Sequence, residues 1–155
     1  MEYPIDLSVQ DAGVSLKIGI VWSRFTDYIG KILLSSCVER LQELGIDKTN
    51  IDIASVPGAL EIPLALQQFA RSKKYNALVA IGVVIRGETY HFDLVANESA
   101  AGVSKVGLDF NLTIANAILT TENDEQAQVR APIKGREAAE VAVECANLLR
   151  NMNKG

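Results

Sequence analysis

The residues with the clearest chemical potential lie between an apolar run and the start of a helical pattern. The run Ala77–Ile85 is followed by residues 86–90 (R-G-E-T-Y) and then by His91, the only histidine in the sequence. An imidazole accepts and returns protons near neutral pH, so His91 is a candidate general acid and base. Free backbone amides at the start of a helix favour an anion. The segment therefore predicts proton transfer beside a bound anion.

Three other segments that follow predicted strands carry unusual residues. They are residues 22–26 (W-S-R-F-T), residues 56–61 (V-P-G-A-L-E) and residues 120–123 (T-T-E-N), the last of which leads to Arg130. Loops after parallel strands gather at one edge of a sheet, so aromatic rings, a carboxylate, a histidine and several cations should meet there. The sequence contains neither G-x-x-x-x-G-K-[ST] nor G-x-G-x-x-G, which disfavours nucleoside triphosphates and dinucleotides as ligands.

Strands alternating with helices predict the fold that positions these loops. Ala77–Ile85 is apolar throughout, as in a strand buried on both faces, whereas Ile51–Val56 alternates, as in a strand nearer an edge. Further strands are predicted at residues 16–22 and 112–119, and helices at about residues 28–44, 60–73, 91–106, 124–130 and 135–149. This order indicates an α/β fold, a flavodoxin-like three-layer α/β/α sandwich with a four-stranded parallel sheet and helices on both faces.

The length and composition predict a single domain behind a short arm. The chain has 155 residues, 48% hydrophobic and 22% charged, which is typical of one globular domain. Residues 1–14 lack a clear pattern and are interpreted as an N-terminal arm, and residues 15–155 as the domain. The net charge of −4 disfavours nucleic acid and an anionic membrane as partners. No long apolar segment indicates a membrane span, so we expect a cytoplasmic protein.

The two cysteines, Cys37 and Cys145, fall on the apolar faces of two predicted helices. Such positions are typical of buried reduced thiols, and neither cysteine has a sequence neighbour that would act as its base. No spacing of cysteine and histidine indicates zinc. The sequence therefore predicts no metal site.

Four segments resemble motifs of one enzyme family, and they occur in the family's order between about residues 17 and 148. They are V-P-G-A-L-E-I-P (56–63), G-V-V-I-R-G-E-T-Y-H-F (82–92), N-E (97–98) and L-T-T-E-N-D-E-Q-A (119–127). The first two are specific, since neither is a generic structural pattern. On these motifs the chain resembles the 6,7-dimethyl-8-ribityllumazine synthase family, which carries out the penultimate step of riboflavin biosynthesis.

The resemblance implies a transferase that condenses 5-amino-6-(D-ribitylamino)uracil with L-3,4-dihydroxy-2-butanone 4-phosphate. In that family an amine attacks the ketone, an imine forms, phosphate is eliminated, the ring closes and water leaves. No metal, nucleotide or redox cofactor takes part, so no cofactor is implied. Much of the rate in such a reaction comes from orienting the two bound reactants. Family members form pentameric rings with shared active sites, which implies a homo-oligomer.

The resemblance also implies roles for residues that titrate or carry charge. His91 matches the family's proton shuttle, although a histidine in a first helical turn can also serve only in capping or packing. Arg130 matches the phosphate ligand, assisted by the backbone amides of Glu88 and Thr89, and a solvated arginine near a helix end is the alternative. Lys134 matches a lysine that lies near the site, and a surface lysine is its alternative.

Other residues match the part of the family site that binds the pyrimidine. Phe25 corresponds to the aromatic ring that lies against it, or alternatively to a hydrophobic staple at a helix entry. Asn116 stands where many relatives carry a phenylalanine that reaches a neighbouring subunit's site, and an asparagine could bind the ring edge instead. Arg86 is left out, because pairing with an acid explains it. The ribityl chain and the pyrimidine edge are assigned to Ala59, Leu60, Glu61, Val84 and Ile85.

Two rival functions stay open at this point. One is a flavodoxin-like module that binds a flavin or a phosphorylated metabolite without chemistry, and the other is a structural protein that forms a shell. The presence of His91, Arg130 and the ribityl-binding segment argues against both.

The assembly is predicted from two further features. The arm carries apolar residues at positions 3, 5 and 7 and could add a strand to a neighbour's sheet. Relatives that build closed shells carry a longer connection before the last helix. Here residues 130–135 are predicted to form a short connection that contains Pro132, which favours free pentamers, or pairs of them, over the shell.

Overall fold

The computed structural model describes residues 2–11 and 13–154, and its centre is a four-stranded parallel sheet. The strands, including a small antiparallel ribbon formed by the first two, are β1 (Gln10–Asp11), β2 (Val14–Ser15), β3 (Ile18–Ser23), β4 (Ile51–Val56), β5 (Ala77–Ile85) and β6 (Thr113–Thr121). The large sheet has the order β4-β3-β5-β6, and each neighbouring pair is parallel. Residues 1, 12 and 155, which belong to the predicted arm and domain, lie outside the described residues.

Helices cover both faces of this sheet, as the sequence predicts. They are α1 (Asp27–Glu43), α2 (Ile62–Arg71), α3 (His91–Phe110) and α4 (Asp124–Asn153), with short 3-10 turns at Lys48–Asn50 and Ala59–Glu61. Helices α1 and α4 pack on one face, and α2 and α3 on the other. Every residue of β5 except Ile85 is buried, whereas β4 lies at the edge and alternates in exposure. The predicted α/β sandwich is therefore confirmed, as is the edge position of Ile51–Val56.

The prediction of two separate helices at residues 124–130 and 135–149 is wrong. Helix α4 is continuous and passes through Pro132. A proline in a helix interior lacks an amide hydrogen and costs about 3 kcal/mol. Small buried residues recur at helical spacing on both sides of it, so one face packs without interruption; they are Ala127, Ala131, Gly135, Ala138, Ala139, Ala142, Val143 and Ala146. Tertiary packing of this face offsets the lost hydrogen bond.

The close approach of α1 and α4 depends on a glycine and is reinforced by ion pairs. A Cβ atom at Gly135 would lie 2.5 Å from the carbonyl oxygen of Leu33, so a side chain there would push the helices apart. One residue further on, Arg136 donates two hydrogen bonds to the carboxylate of Glu43, at 2.9 and 2.8 Å. Arg40 lies 3.4 Å from the same carboxylate. These contacts tie the end of α1 to α4.

The pair of Glu43 with Arg136 predicts how stability depends on pH. Hydrogen bonding from Arg136 lowers the pKa of Glu43 from its ordinary value of 4.5 to about 2. Because this pKa is lower in the folded state, the ionised carboxylate of Glu43 stabilises the fold above pH 4.5. That stabilisation is lost as the pH falls towards 2. We expect Glu43→Gln to lower the melting temperature at pH 7, and the difference from the wild type to shrink towards pH 2. Thermal unfolding at a series of pH values checks this.

A control for this experiment is an exposed ion pair that lies within one helix. Lys105 and Asp109 form such a pair on α3, with a single contact at 2.9 Å, and a pair of this kind contributes less to stability than the bidentate contact of Arg136 with Glu43. Asp109→Asn should therefore leave the melting temperature almost unchanged. A difference between Glu43→Gln and the wild type that grows as the pH falls would contradict the assignment.

Part of the N-terminal arm packs on its own chain. Val9 is buried, and Leu7 packs against the same core. The buried Asn147 of α4 donates its side-chain amide to the carbonyl oxygens of Asp6 and Ser8, at 2.7 and 2.8 Å. Residues 2–5 are exposed.

The order of the strands places a ligand site at one edge of the sheet. The chain passes from β3 outward to β4, then returns past β3 to β5 and continues to β6. The helices that follow β3 and β5 cover opposite faces. A crevice therefore opens at the C-terminal ends of these two central strands, which is the usual place for a ligand in an open α/β sheet.

Candidate active site

A cleft of about 610 Å³ opens at this crevice. The loops after β3, β4 and β5 form it together with the first turns of α3 and the first residue of α4. Its floor is apolar, with Val84 and Val95 almost fully buried, and polar side chains stand at its rim. The cleft is lined by Phe25, Thr26, Gly58, Ala59, Leu60, Glu61, Val83, Val84, Ile85, Gly87, Thr89, His91, Phe92, Val95 and Asp124. Its volume is that of a site for a small molecule.

His91 is brought to the cleft by the abrupt change from β5 to α3. An exposed loop of residues 86–90 follows the strand, and α3 begins at His91 itself. The hydroxyl of Thr89 accepts a hydrogen bond from the backbone amide of His91 at 3.3 Å, which satisfies one of the free amides of the first turn. The imidazole is exposed and lines the cleft. It can therefore exchange a proton with a ligand and with solvent.

Phe25 and the turn Ala59–Glu61 form other parts of the wall. Phe25 is 86% exposed, too exposed for a hydrophobic staple, and a free ring beside a cleft is suited to stacking on a flat ligand. In the turn after β4, Ala59 is buried and the amide of Glu61 donates to the carbonyl of Gly58 at 3.2 Å. The carboxylate of Glu61 lies back over Gly58, since a Cβ there would be 3.8 Å from both its oxygens. It is placed to accept hydrogen bonds from ligand hydroxyls.

The structure brings together most of the site residues predicted from the sequence. The predicted residues that line the cleft are Phe25, Ala59, Leu60, Glu61, Val84, Ile85, Thr89 and His91. They come from three loops that are far apart in the sequence. Glu88 is exposed and lies between two lining residues. Its side chain does not line the cleft, and only its backbone amide was predicted to act there.

Three predicted residues on β6 and α4 do not reach this cleft. Asn116 is exposed, and its side-chain oxygen accepts a hydrogen bond from the amide of Ile118 at 2.9 Å. Arg130 is exposed and donates from its guanidinium to the carbonyl of Gln126 at 3.1 Å. Lys134 is half-buried, one turn further along α4. Within one chain, therefore, these three predicted residues lie apart from the residues that line the cleft.

The charged side chains of the cleft are acidic apart from His91. Its lining residues all lie in the described part of the chain, and they include Glu61 and Asp124 but neither lysine nor arginine. A phosphate group is normally held by cations and by backbone amides together. The first turn of α3 can supply amides. A cation for a phosphate has to come from outside this set of residues.

Sequence reasoning missed several lining residues. The hydroxyl of Thr26 donates to the carbonyl of Val83 at 3.4 Å and so links the loop after β3 to the end of β5. Asp124 is the first residue of α4, after the N-cap residue Asn123, whose side chain accepts a hydrogen bond from the amide of Gln126 at 2.8 Å. A threonine in a turn and an acid in a first helical turn are common. Only their position at the ends of strands could have identified them.

The described part of the chain gives no sign of a metal site or a membrane span. Within residues 2–11 and 13–154, no three or more His, Cys, Asp or Glu side chains are grouped to hold a metal ion, and no helix has both the length and the apolar character needed to cross a bilayer. Cys37 is buried, Cys145 is half-buried, and both are free thiols. Burial raises the pKa of Cys37 to about 12, so this thiol is unreactive.

Comparison with known proteins assigns the chain to a family. Residues 15–150 match the family model of 6,7-dimethyl-8-ribityllumazine synthase. A protein of that name from Neisseria meningitidis serogroup C (strain 053442) is 64% identical over 137 residues, which cover 88% of this chain and 87% of that protein. The protein of that name from Neisseria gonorrhoeae (strain NCCP11945) is 63% identical over 88% of this chain and 87% of its own length. The one from Burkholderia vietnamiensis (strain G4 / LMG 22486) is 61% identical over 88% of this chain and 80% of its own length. The chain therefore belongs to the 6,7-dimethyl-8-ribityllumazine synthase family.

Proposed function

We propose that this chain condenses 5-amino-6-(D-ribitylamino)uracil with L-3,4-dihydroxy-2-butanone 4-phosphate to give 6,7-dimethyl-8-ribityllumazine, phosphate and water. Membership of the family supports the reaction. The observation that carries the proposal is the meeting of Phe25, the turn Ala59–Glu61 and His91 at one cleft. Together they offer a stacking surface, an acceptor for hydroxyl groups and a proton carrier, which are the requirements of a condensation that closes a ring.

Each part of the cleft has a separate task in this proposal. The pyrimidine ring lies against Phe25, and the backbone of Val84 and Ile85 binds its edge. The ribityl hydroxyls bind at Ala59–Glu61. His91 takes a proton from the attacking amine and returns one to the oxygen that leaves as water. Most of the rate comes from holding the amine and the ketone in contact, because a bimolecular step becomes a step within one complex.

The phosphate ligand in this proposal belongs to a neighbouring copy of the chain. The cleft has no lysine or arginine among its described lining residues, while Arg130 and Lys134 do not reach it. Lys134 is ten residues beyond Asp124 in α4, which is about 15 Å along the helix. We therefore infer that Asn116, Arg130 and Lys134 complete the cleft of the next subunit, and that each active site lies between two copies.

The surface around Arg130 has the character of an interface. Val129 and Ile133, which flank it on α4, are 66% and 62% exposed, and Tyr28 on α1 is 67% exposed. Large apolar side chains grouped on a surface are typical of contacts between proteins. An open groove lies beside them between α1 and α4, lined by Tyr28, Lys31, Ile32, Ser35, Ser36 and Pro132. These features support burial of this surface against a second copy.

A pentameric ring is the assembly that we propose. The short connection predicted at residues 130–135, which favoured open rings over closed shells, is wrong because these residues are helical. Sedimentation velocity should give the mass of a pentamer. A monomer would contradict the shared site, and a boundary at the mass of a shell would contradict the open ring.

The reaction is tested by supplying both substrates to the purified chain. We expect the absorbance of the lumazine to appear together with an equal amount of inorganic phosphate, and neither signal when one substrate is omitted. Binding of the pyrimidine without product would indicate a binding module instead. Assembly into large particles without either binding or product would indicate a structural role.

We also propose a cytoplasmic location. Cys37 and Cys145 are both free thiols, which is the state that a reducing compartment maintains. Finding the chain in the soluble cytoplasmic fraction of its own cells checks this.

A further inference from the structure

Arg86 connects the end of β5 to the end of β6 and to the first turn of α3. Its backbone amide donates to the carbonyl of Thr121 at 2.9 Å, which extends the pairing of β5 and β6 by one step. Its Nε donates to the carboxylate of Glu122 at 2.7 Å. Its guanidinium carbon lies 4.4 Å from the centre of the Phe92 ring, and its Nη1 lies 3.8 Å from the carboxylate of Asp93. The side chain therefore joins the end of β6 to the first turn of α3.

The loop between Arg86 and His91 has little packing of its own. Residues 86–90 are all exposed. A Cβ added at Gly87 would meet nothing within 4 Å. The hydrogen bond between Thr89 and His91 spans only two residues and does not attach the loop to the sheet. His91 is therefore held by α3 and not by this loop, and the first turn of α3 packs on the core through Phe92 and contacts Arg86 through Phe92 and Asp93.

We propose that Arg86 is a positioning residue for the condensation: it holds the first turn of α3 against the end of β6 and so sets where the imidazole of His91 stands in the cleft. This inference rests on the proposed function, because it concerns the proton carrier of that reaction. A planar guanidinium can stack on a ring and reach two carboxylates at once, which an ammonium group cannot do. A small displacement of a catalytic group has a large effect on rate.

The surroundings of Arg86 argue against a direct role in binding an anion. Its guanidinium faces two carboxylates, those of Glu122 and Asp93, so this cluster carries no excess positive charge. The cluster is also exposed, with 42% of the Arg86 side chain accessible, and exposed ion pairs stabilise a fold only slightly. Removal of Arg86 should therefore change the geometry of the loop without unfolding the protein.

Two substitutions separate these possibilities. Arg86→Met keeps an unbranched apolar stem and removes the charged group, and Arg86→Lys keeps the charge without the planar group. We expect Arg86→Met to lower kcat about tenfold, with less than a twofold change in KM for either substrate, and Arg86→Lys to recover only part of the loss. The matched control is Lys105→Met, which removes an exposed pair from the far part of α3 and should leave kcat unchanged.

A second measurement does not depend on activity. In Arg86→Met the amide hydrogens of Leu94 and Val95, in the first turns of α3, should exchange faster than in the wild type, and amides near Lys105 should not. Wild-type kcat and unchanged exchange in Arg86→Met would overturn the inference. It would also be overturned by weaker inhibition by inorganic phosphate with kcat unchanged, because Arg86 would then be an anion ligand. A wild-type chain that forms no product would refute the proposed function, and the exchange measurement alone would then decide whether Arg86 holds the turn.

Discussion

Replacing His91 by alanine should slow the condensation by up to about 10²-fold, the low end of what general acid–base catalysis contributes. The loss stays at that end because Phe25 and the turn Ala59–Glu61 still orient the substrates. The affinity for the pyrimidine should be nearly unchanged, since the proposed binding contacts of that substrate do not include the imidazole. Single-turnover rates with both substrates, together with a titration of the pyrimidine alone, measure the two effects separately.

A neighbouring aromatic residue provides the control for this substitution. Tyr90 precedes His91, is 72% exposed and does not line the cleft, so Tyr90→Phe should react at the rate of the wild type. Equal single-turnover rates for His91→Ala and the wild type would remove the imidazole from the mechanism. Its place in the first turn of α3 would then be explained by local structure alone.

The second large effect is expected at the anion site. Arg130→Ala should weaken binding of the butanone phosphate by about ten- to a hundredfold, because a hydrogen bond to a charged group is worth roughly 1.5–3 kcal/mol. Binding of the pyrimidine, which carries no phosphate, should change little. Inhibition by inorganic phosphate reports the same loss without any chemistry and gives an independent measure.

A matched arginine lies at the opposite edge of the sheet. Arg71 ends α2 and is exposed, and it is followed by the start of β5, not by the loops of the cleft. Arg71→Ala has the same change in net charge and should leave phosphate affinity as it is. Unchanged phosphate affinity in Arg130→Ala, or equal losses in both variants, would mean that Arg130 is not the specific ligand.

The sequence predicts those strands whose pattern of apolar and polar residues follows directly from their own burial. The continuous apolar run of β5 and the alternation of β4 predict the same bounds that the structure has. A strand buried on both faces is apolar throughout, whereas a strand buried on one face alternates between apolar and polar residues. The break predicted near Pro132 failed, since the cost of a proline is local whereas the small-residue face of α4 packs over its whole length. Propensity rules do not include that packing.

The site was predictable in the same partial way. Phe25, the residues after β4 and His91 follow strand ends, and parallel strands bring such loops together. Thr26 and Asp124 carry no chemical signature of their own, so only their position after the ends of strands could have identified them. Arg86 was set aside as the partner of an acid, and the structure shows two acids and a ring around it.

Mixing the two impaired variants tests the shared site most directly. Subunits of His91→Ala and Arg130→Ala, combined in equal amounts by unfolding and refolding together, form random rings. If His91 and Arg130 of one site come from adjacent copies, about a quarter of the sites regain both residues. We predict that the mixture recovers about a quarter of wild-type activity at limiting butanone phosphate. A mixture no more active than the mean of the two variants would show that each site lies within one chain, which contradicts the account.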